Sequence, residues 1–263
     1  MSALLFFDID GTLITLDKRH IMPESTRQAL NKAKSNGHKI FINTGRVKSA
    51  IDKHLLEFGF DGLVCGCGTY IEYEGNEVFY KSIPENLCIK YANMLHGIGY
   101  ETLYESRDRL FIDGDHGPGT FMNYIFEYFS ENSDEPIREY PHPKFRFDKF
   151  TTSGKEGSKQ GVFEEMFCED FNLIPHGNIV TEAVPKGCSK ATGISFLMNE
   201  LDVSIDNCYA FGDSINDMEM LKFVGHSVGM GNSVKELFDV VEHKTTDIED
   251  DGIANALSFY NLI

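Results

Sequence analysis

Positive charge is scarce in this sequence. Its 263 residues include 24 lysines and arginines against 41 aspartates and glutamates, a formal net charge of −17. Attraction to nucleic acids and to anionic membranes rests chiefly on Lys and Arg meeting phosphate. No nucleic-acid and no membrane partner is therefore expected. A small anionic substrate stays compatible with the charge, because a bound cation and a few local positive groups outweigh the global field inside one cleft. Long apolar runs are missing too. Nothing approaches the roughly 20 residues that span a bilayer, and the N-terminal apolar stretch, Ala3 to Phe7, is cut short by Asp8. That is too little for a secretory leader. Cysteine is sparse and scattered: of Cys65, Cys67, Cys88, Cys168, Cys188 and Cys208, only the first two are close. Their single intervening residue is not the two-residue gap of zinc or thioredoxin pairs, and no HisxxxHis pair falls on a plausible helix. Structural zinc is not expected. Free thiols in a reducing cytoplasm are, so the protein reads as cytoplasmic. Fixed-period repeats and low-complexity tracts are absent as well.

What remains is ordinary globular material, 41% hydrophobic and 25% charged, long enough for a core domain and a smaller second one. Strand and helix signals alternate at first: a strand over Ala3–Phe7, a helix from Pro23 to Asn36 stopped by Gly37, a strand over Lys39–Ile42, a helix over Val47–Phe58, a strand over Leu63–Cys65. That alternation predicts βαβ units and a parallel sheet. A hairpin is expected across Gly75-Asn76. From Pro84 to about Pro185 the pattern is mixed: helices near 85–95, 121–129 and 159–171, strands near 100–104, 109–113 and 178–183, and no assignment for 138–149. From Pro185 the alternation resumes, with helices at 190–201, 216–223 and 252–260 and strands at 208–211 and 226–228. The expected fold is α/β, a Rossmann-like parallel-sheet core with helices on both faces, plus an inserted α+β domain. Residues 1–83 and 186–263 form the core and 84–185 the insertion.

Four stretches carry chemistry, each at or beside the carboxyl end of a predicted parallel strand, where open α/β sheets bind ligands. In Asp8-Ile9-Asp10-Gly11-Thr12 two carboxylates point the same way, and a hard divalent cation would relieve their repulsion. An Asp-Gly turn is the plainer reading. Asn43-Thr44-Gly45-Arg46 offers a hydroxyl and free N–H groups for phosphate, or an ordinary helix cap. Pro185-Lys186-Gly187-Cys188-Ser189-Lys190 opens a helix with lysines that oppose its dipole, which makes sense beside an anion. Lys186 and Lys190 are both candidates. Gly212-Asp213-Ser214-Ile215-Asn216-Asp217 brings two acids and an amide to a turn, as a metal shell or as a capped helix start.

In order and spacing these motifs (DIDGT, NTGR, the lysine of GCSKA, GDSIND) resemble the haloacid dehalogenase superfamily, and within it the Cof-like subgroup of sugar-phosphate-type phosphatases. The tail GMGNSVKELFDVVEHKTTDIEDDGIANAL matches that subgroup's usual ending, so the resemblance covers nearly the whole chain. It implies a Mg2+-dependent phosphatase acting on a small phosphorylated metabolite through an aspartyl-phosphate. Asp8 matches the nucleophile, Asp10 the general acid/base, Thr44 the phosphoryl-binding hydroxyl and Lys190 the lysine that orients the nucleophile. Gly11 and Gly45 fall in the phosphate-binding set with Asp8, Thr44 and Lys190. Asp8, Asp10 through its main-chain carbonyl, Asp213, Asn216 and Asp217 match the Mg2+ shell. The insertion resembles the subgroup's α/β cap.

Two departures stand out: Cys67-Gly68-Thr69 replaces the usual Asn-Gly-Ala, and Ala191 replaces the Gly after the lysine. Arg107, Arg109, Lys144 and Arg146 of the insertion read first as solvated charges and second as contacts for another anionic group. Sugar phosphates lead the expected substrates, followed by FMN and pyridoxal phosphate. A phosphomutase and a non-catalytic phospho-ligand binding protein are the alternatives, although every motif position holds a chemically competent residue. A monomer or weak homodimer is expected.

Overall fold

The computed structural model describes residues 2–17, 19–114, 117, 120–132, 136–154, 160–177 and 180–263. The opening apolar run forms β1 (Leu4–Phe7), buried throughout. Leu5 and Phe7 enter one apolar cluster, Leu4 and Phe6 another, because alternate side chains leave a strand on opposite faces. A strand that is apolar at every position thus lies inside a sheet covered on both sides.

Pro23 stands at the N-cap of α1 (Glu24–Ser35). β2 (Lys39–Asn43) pairs parallel with β1, and β3 (Gly62–Cys65) with β2. Between them the helix predicted over 47–58 does not form as one piece. A 3-10 turn covers Lys48–Ala50, Ile51 is extended, and α2 spans only Lys53–Leu56. The break has a local cause: the Arg46 guanidinium donates to the Ala50 carbonyl and to the Asp52 carboxylate. The expected hairpin is present as β4 (Tyr70–Tyr73) and β5 (Asn76–Tyr80), which extend the sheet antiparallel from β3.

After α3 (Glu85–Gly97) come β6 (Tyr100–Ser106), β7 (Arg109–Asp113), α4 (Phe121–Asn132), β8 (Arg138–Glu139), β9 (Lys149–Gly154), α5 (Gln160–Phe167), β10 (Phe171–His176) and β11 (Val180–Pro185). Their strands make a second sheet in the order β10-β11-β9-β6-β7-β8. Tyr104, Phe147, Phe150, Phe163, Phe167 and Phe171 pack its aromatic core. The helix expected over 159–171 ends at Phe167, and Phe171 starts a strand instead, paired with Pro185. Lys159 and positions 178–179 of the expected strand lie outside the described residues.

The chain then returns through α6 (Lys190–Glu200), β12 (Cys208–Gly212), α7 (Met218–Phe223), β13 (His226–Gly229), β14 (His243–Lys244) and α8 (Gly252–Phe259). The helix expected from Asn216 starts at Met218, after a 3-10 turn over Ile215–Asp217. α1 and α8 cover one face of the first sheet, α6 and α7 the other. The fold is α/β, as expected. Its first sheet runs β14-β13-β12-β1-β2-β3-β4-β5, so the chain leaves β1 in one direction and later resumes at β12 in the other. The boundary between β1 and β12 is a topological switch point, the place where the loops at the carboxyl ends part and leave a crevice. Among the described residues no helix is long and apolar enough to cross a membrane, and all six cysteines are free.

Candidate functional site

Register brings three of the four motifs together. Phe7 pairs with Ile42 on one side and Phe211 on the other. The residues just past those positions, Asp8, Asn43-Thr44 and Gly212-Asp213, therefore leave the sheet side by side. α6 supplies the fourth group. Ser189 caps it in a capping box with Thr192, which fixes the first helical residue, Lys190. Asn43 Nδ2 donates to the Lys190 carbonyl at 3.1 Å and ties that helix to β2.

Lys190 is 1% exposed. Its Nζ donates to Asp8 Oδ1 at 2.7 Å, to Asp217 Oδ1 at 2.6 Å and to Asn216 Oδ1 at 3.4 Å. Two buried carboxylates hold the ammonium firmly protonated. Lys186, the other sequence candidate, is exposed. The other Asp217 oxygen accepts the backbone N–H groups of Asp213 and Ser214 at 2.9 and 3.0 Å, so Asp217 shapes the turn as well as pairing the lysine. Asp213 Oδ1 accepts from Thr12 at 2.9 Å. Gly11 has φ +78°, and a Cβ there would lie 2.4 Å from Asp213 Oδ2. Only glycine permits this approach of the two loops.

Oxygens of Asp8, Asp213 and Asp217 lie within 4.8 Å of one another. Asp8 and Asp213 are 3% and 6% exposed. Burial and neighbouring carboxylates push Asp8 up to about 7, Asp217 contributing and Lys190 opposing. Burial, with Asp8 and Asp217, pushes Asp213 up to about 8. One lysine thus faces three clustered acids. An all-oxygen donor set with surplus negative charge suits a hard divalent cation, so these residues fit Mg2+.

Asp10 stands apart from this cluster. Its carboxylate is gripped by Arg46, Nε to Oδ2 at 2.8 Å and Nη2 to Oδ1 at 2.5 Å. The same guanidinium donates to Asp52 Oδ2 at 3.0 Å and to the Tyr128 hydroxyl on α4 at 3.0 Å. Arg46 ends the NTGR stretch, and its hold on Asp10 is not legible from the sequence. Thr44 is 1% exposed, and its Oγ1 accepts the Arg46 N–H at 3.1 Å.

A second group missed in the sequence closes over Gly45 from the second sheet. Lys149 Nζ donates to the Gly45 carbonyl at 3.0 Å and to Glu182 Oε1 at 2.6 Å, and pairs with Glu105 at 3.0 Å. Lys149 keeps Glu182 well below the usual carboxylate range despite burial. Cys67 Sγ lies 3.5 Å from Glu182 Oε1, so the Cys67-Gly68-Thr69 departure meets this group directly. Arg107, Arg109, Lys144 and Arg146 line a different cavity of about 410 Å³, which none of the site residues above line. Within it Arg107 pairs with Glu77, and Arg146 with Glu85 at 2.7 Å.

The chain is similar to several known proteins along nearly its whole length. The chain is 30% identical to a Bacillus subtilis (strain 168) protein named "Putative phosphatase YkrA", covering 100% of this chain and 99% of that one. It is 27% identical to an HMP-PP phosphatase of Yersinia pseudotuberculosis over 90% of this chain and 86% of the relative. A solved structure described as the HAD subclass IIB sugar phosphatase BT4131 superposes with a TM-score of 0.83, at 24% identity, over the full length of both chains. The model of haloacid dehalogenase-like hydrolases matches residues 5–257, and the chain belongs to that family.

Proposed function

We propose that the protein is a Mg2+-dependent phosphatase of small phosphomonoesters, sugar phosphates foremost, working through an aspartyl-phosphate on Asp8. The observation that carries this reading is Asp8 itself: a carboxylate at a buried strand end, one oxygen taken by Lys190 and the other without a hydrogen-bond partner among the described residues. Such a group is oriented for attack and is screened from water. The names of the relatives, a phosphatase and a sugar phosphatase among them, support the substrate class.

In this mechanism the free Asp8 oxygen attacks phosphorus in line with the ester bond. That bond breaks, and Asp10 gives its proton to the departing oxygen. Asp10 then takes a proton from water, which attacks the acyl phosphate and frees inorganic phosphate and Asp8. Lys190 neutralises Asp8 and the charge gathering on the phosphoryl oxygens. The Thr44 hydroxyl and the backbone N–H of Gly45 hold those oxygens, while the Gly11 N–H is given to the Ile14 carbonyl at 2.9 Å. Asp8, the Asp10 carbonyl and Asp213 would hold Mg2+, with Asn216 and Asp217 completing or supporting its shell. When bound, the ion offsets the acidic cluster and lets an anionic phosphate approach. Arg46 holds the Asp10 carboxyl in place for that exchange.

Residues 84–185 act as a cap over the crevice, with Lys149 and Arg46–Tyr128 among its contacts to the core. Phosphate release from a panel of monoesters, with Mg2+ or with EDTA, tests the reading. Release that needs Mg2+ supports it, and a panel left untouched refutes it.

A further inference from the structure

Three successive carbonyls in the turn after β2 are held in two different ways. The Thr44 carbonyl accepts the Cys67 N–H at 3.0 Å, and the Arg46 carbonyl accepts the Gly66 N–H at 2.8 Å, both from the loop after β3. The Gly45 carbonyl lies between them. Among the described residues it accepts only from Lys149 Nζ, at 3.0 Å. That lysine reaches the turn from the second sheet, and its surroundings are built to deliver it. Glu105 on β6 stands opposite Lys149 on β9, and Glu182 on β11 stands opposite Thr151. Alternation therefore sets all four side chains on one face of the sheet. Lys149, Glu105 and Glu182 are all buried. Burying an ammonium is costly unless it is paired, and despite that burial the two carboxylates keep Lys149 protonated. An ammonium has three donors: two serve the carboxylates, and the third goes to a carbonyl of the first sheet. Gly45 permits the approach, since a Cβ there would lie 3.1 Å from Glu182 Oε1.

The consequence runs through one peptide. The Gly45 carbonyl and the Arg46 N–H belong to the same planar unit, so holding the oxygen also sets the N–H. That N–H is donated to Thr44 Oγ1 at 3.1 Å. A hydroxyl carries one proton. With Oγ1 already accepting from Arg46, the Thr44 proton is aimed away from that bond and is free for a phosphoryl oxygen. We infer that Lys149 is a positioning residue for phosphoryl transfer: from the second sheet it fixes the Gly45–Arg46 peptide, and through it the direction in which Thr44 donates. The inference rests on the phosphatase reading above. It makes the binding loop complete only while the second sheet is seated over it. Lys149 then acts on the phosphoryl side of the reaction, so its effect belongs to the transition state and is indifferent to the leaving group.

Lys149→Met alone would leave Glu105 and Glu182 facing each other without their cation. The test therefore uses the paired change Lys149→Met/Glu182→Gln, which leaves the net charge of the cluster unchanged and keeps a hydrogen-bonding group beside His176. It is compared with Thr44→Val and with the combination of all three changes, on acetyl phosphate and on glucose 6-phosphate, in Mg2+. The paired change should lower kcat about 10–100-fold on both substrates, the scale of loss expected when a reacting group is misplaced. KM should stay within about threefold, because ground-state binding is kept. Thr44→Val should lose at least as much. The combination should turn over within about threefold of Thr44→Val, since without the hydroxyl Lys149 has nothing to orient. Losses that multiply in the combination, as independent sites give, overturn the inference. So does a loss confined to glucose 6-phosphate or read in KM, which would make Lys149 a leaving-group contact, and so does wild-type kcat in the paired variant. Each of those results leaves the phosphatase reading intact as long as wild type hydrolyses either substrate. Wild type inert on both overturns both.

Discussion

Replacing Lys190 by methionine removes the cation that, among the described residues, pairs with Asp8 and Asp217, and keeps most of the volume. Lys190 bonds Asp8 and Asp217 at 2.7 and 2.6 Å. Without it, Asp8, Asp213 and Asp217 are left as clustered carboxylates, all below 10% exposed. Removing one partner of a buried ion pair costs about 3–5 kcal/mol. At about 2–4 °C per kcal/mol for a chain of this size, the metal-free variant should melt about 6–20 °C lower than wild type.

The loss should depend on pH in a definite sense. Asp8 and Asp213 are held above their ordinary value of 3.8, at about 7 and about 8, even with the lysine present. Removing the lysine raises Asp8 further. A carboxyl with a raised folded pKa contributes stability that is fully present below its unfolded pKa, near 4, and is lost as pH rises through the folded value. The difference between variant and wild type should therefore widen as pH rises from about 6 to about 9, through the value near 7 at which wild-type Asp8 ionises while the variant's carboxyl still holds its proton. Mg2+ should recover part of it. Thermal unfolding followed by circular dichroism across that range, with and without Mg2+, reads all of this. A variant that melts with wild type at pH 8, or a deficit that shrinks as pH rises, would refute the electrostatic argument.

Mg2+ binding should itself weaken on acidification. The metal displaces protons from carboxyls held at about 7 and about 8, so apparent affinity should fall by about tenfold per pH unit for each proton displaced as pH drops below 8. Calorimetry in two buffers of different ionisation enthalpy would detect the released protons; binding that ignores pH speaks against a carboxylate shell. Arg46→Ala should cut kcat by about 10–100-fold by loosening Asp10 and its link to Tyr128, the scale of loss expected when a reacting group is misplaced. Mg2+ affinity, measured by the same calorimetry, should hardly move. Full activity in Arg46→Ala would remove Arg46 from the positioning of Asp10.

Much of the first sheet was legible because its signals are local. β1 is buried on both faces and so must be apolar at every position; α1 has proline before it and glycine after it. The motifs were legible for the same reason, since each follows or adjoins a strand. What escaped depends on distant partners. Arg46 breaks the predicted helix by bonding Ala50 and Asp52, and its main partner, Asp10, is 36 residues back. Lys149 begins a short strand in a stretch of prolines and basic residues, and its neighbourhood in sequence holds no sign that Glu105 and Glu182 will enclose it. Phe171 fits a helical spacing with Phe163 and Phe167, yet it pairs with Pro185 as the first residue of a strand.

The central claim is that Asp8 performs the chemistry, and the most direct measurement is phosphate release by Asp8→Asn beside wild type, in Mg2+, on the monoester that wild type hydrolyses fastest. The amide keeps the shape of the carboxylate and relieves some of the repulsion from Asp213 and Asp217, so the variant should fold at least as stably as wild type. It should release phosphate at the background rate. Turnover close to wild type in a folded Asp8→Asn protein would contradict the account.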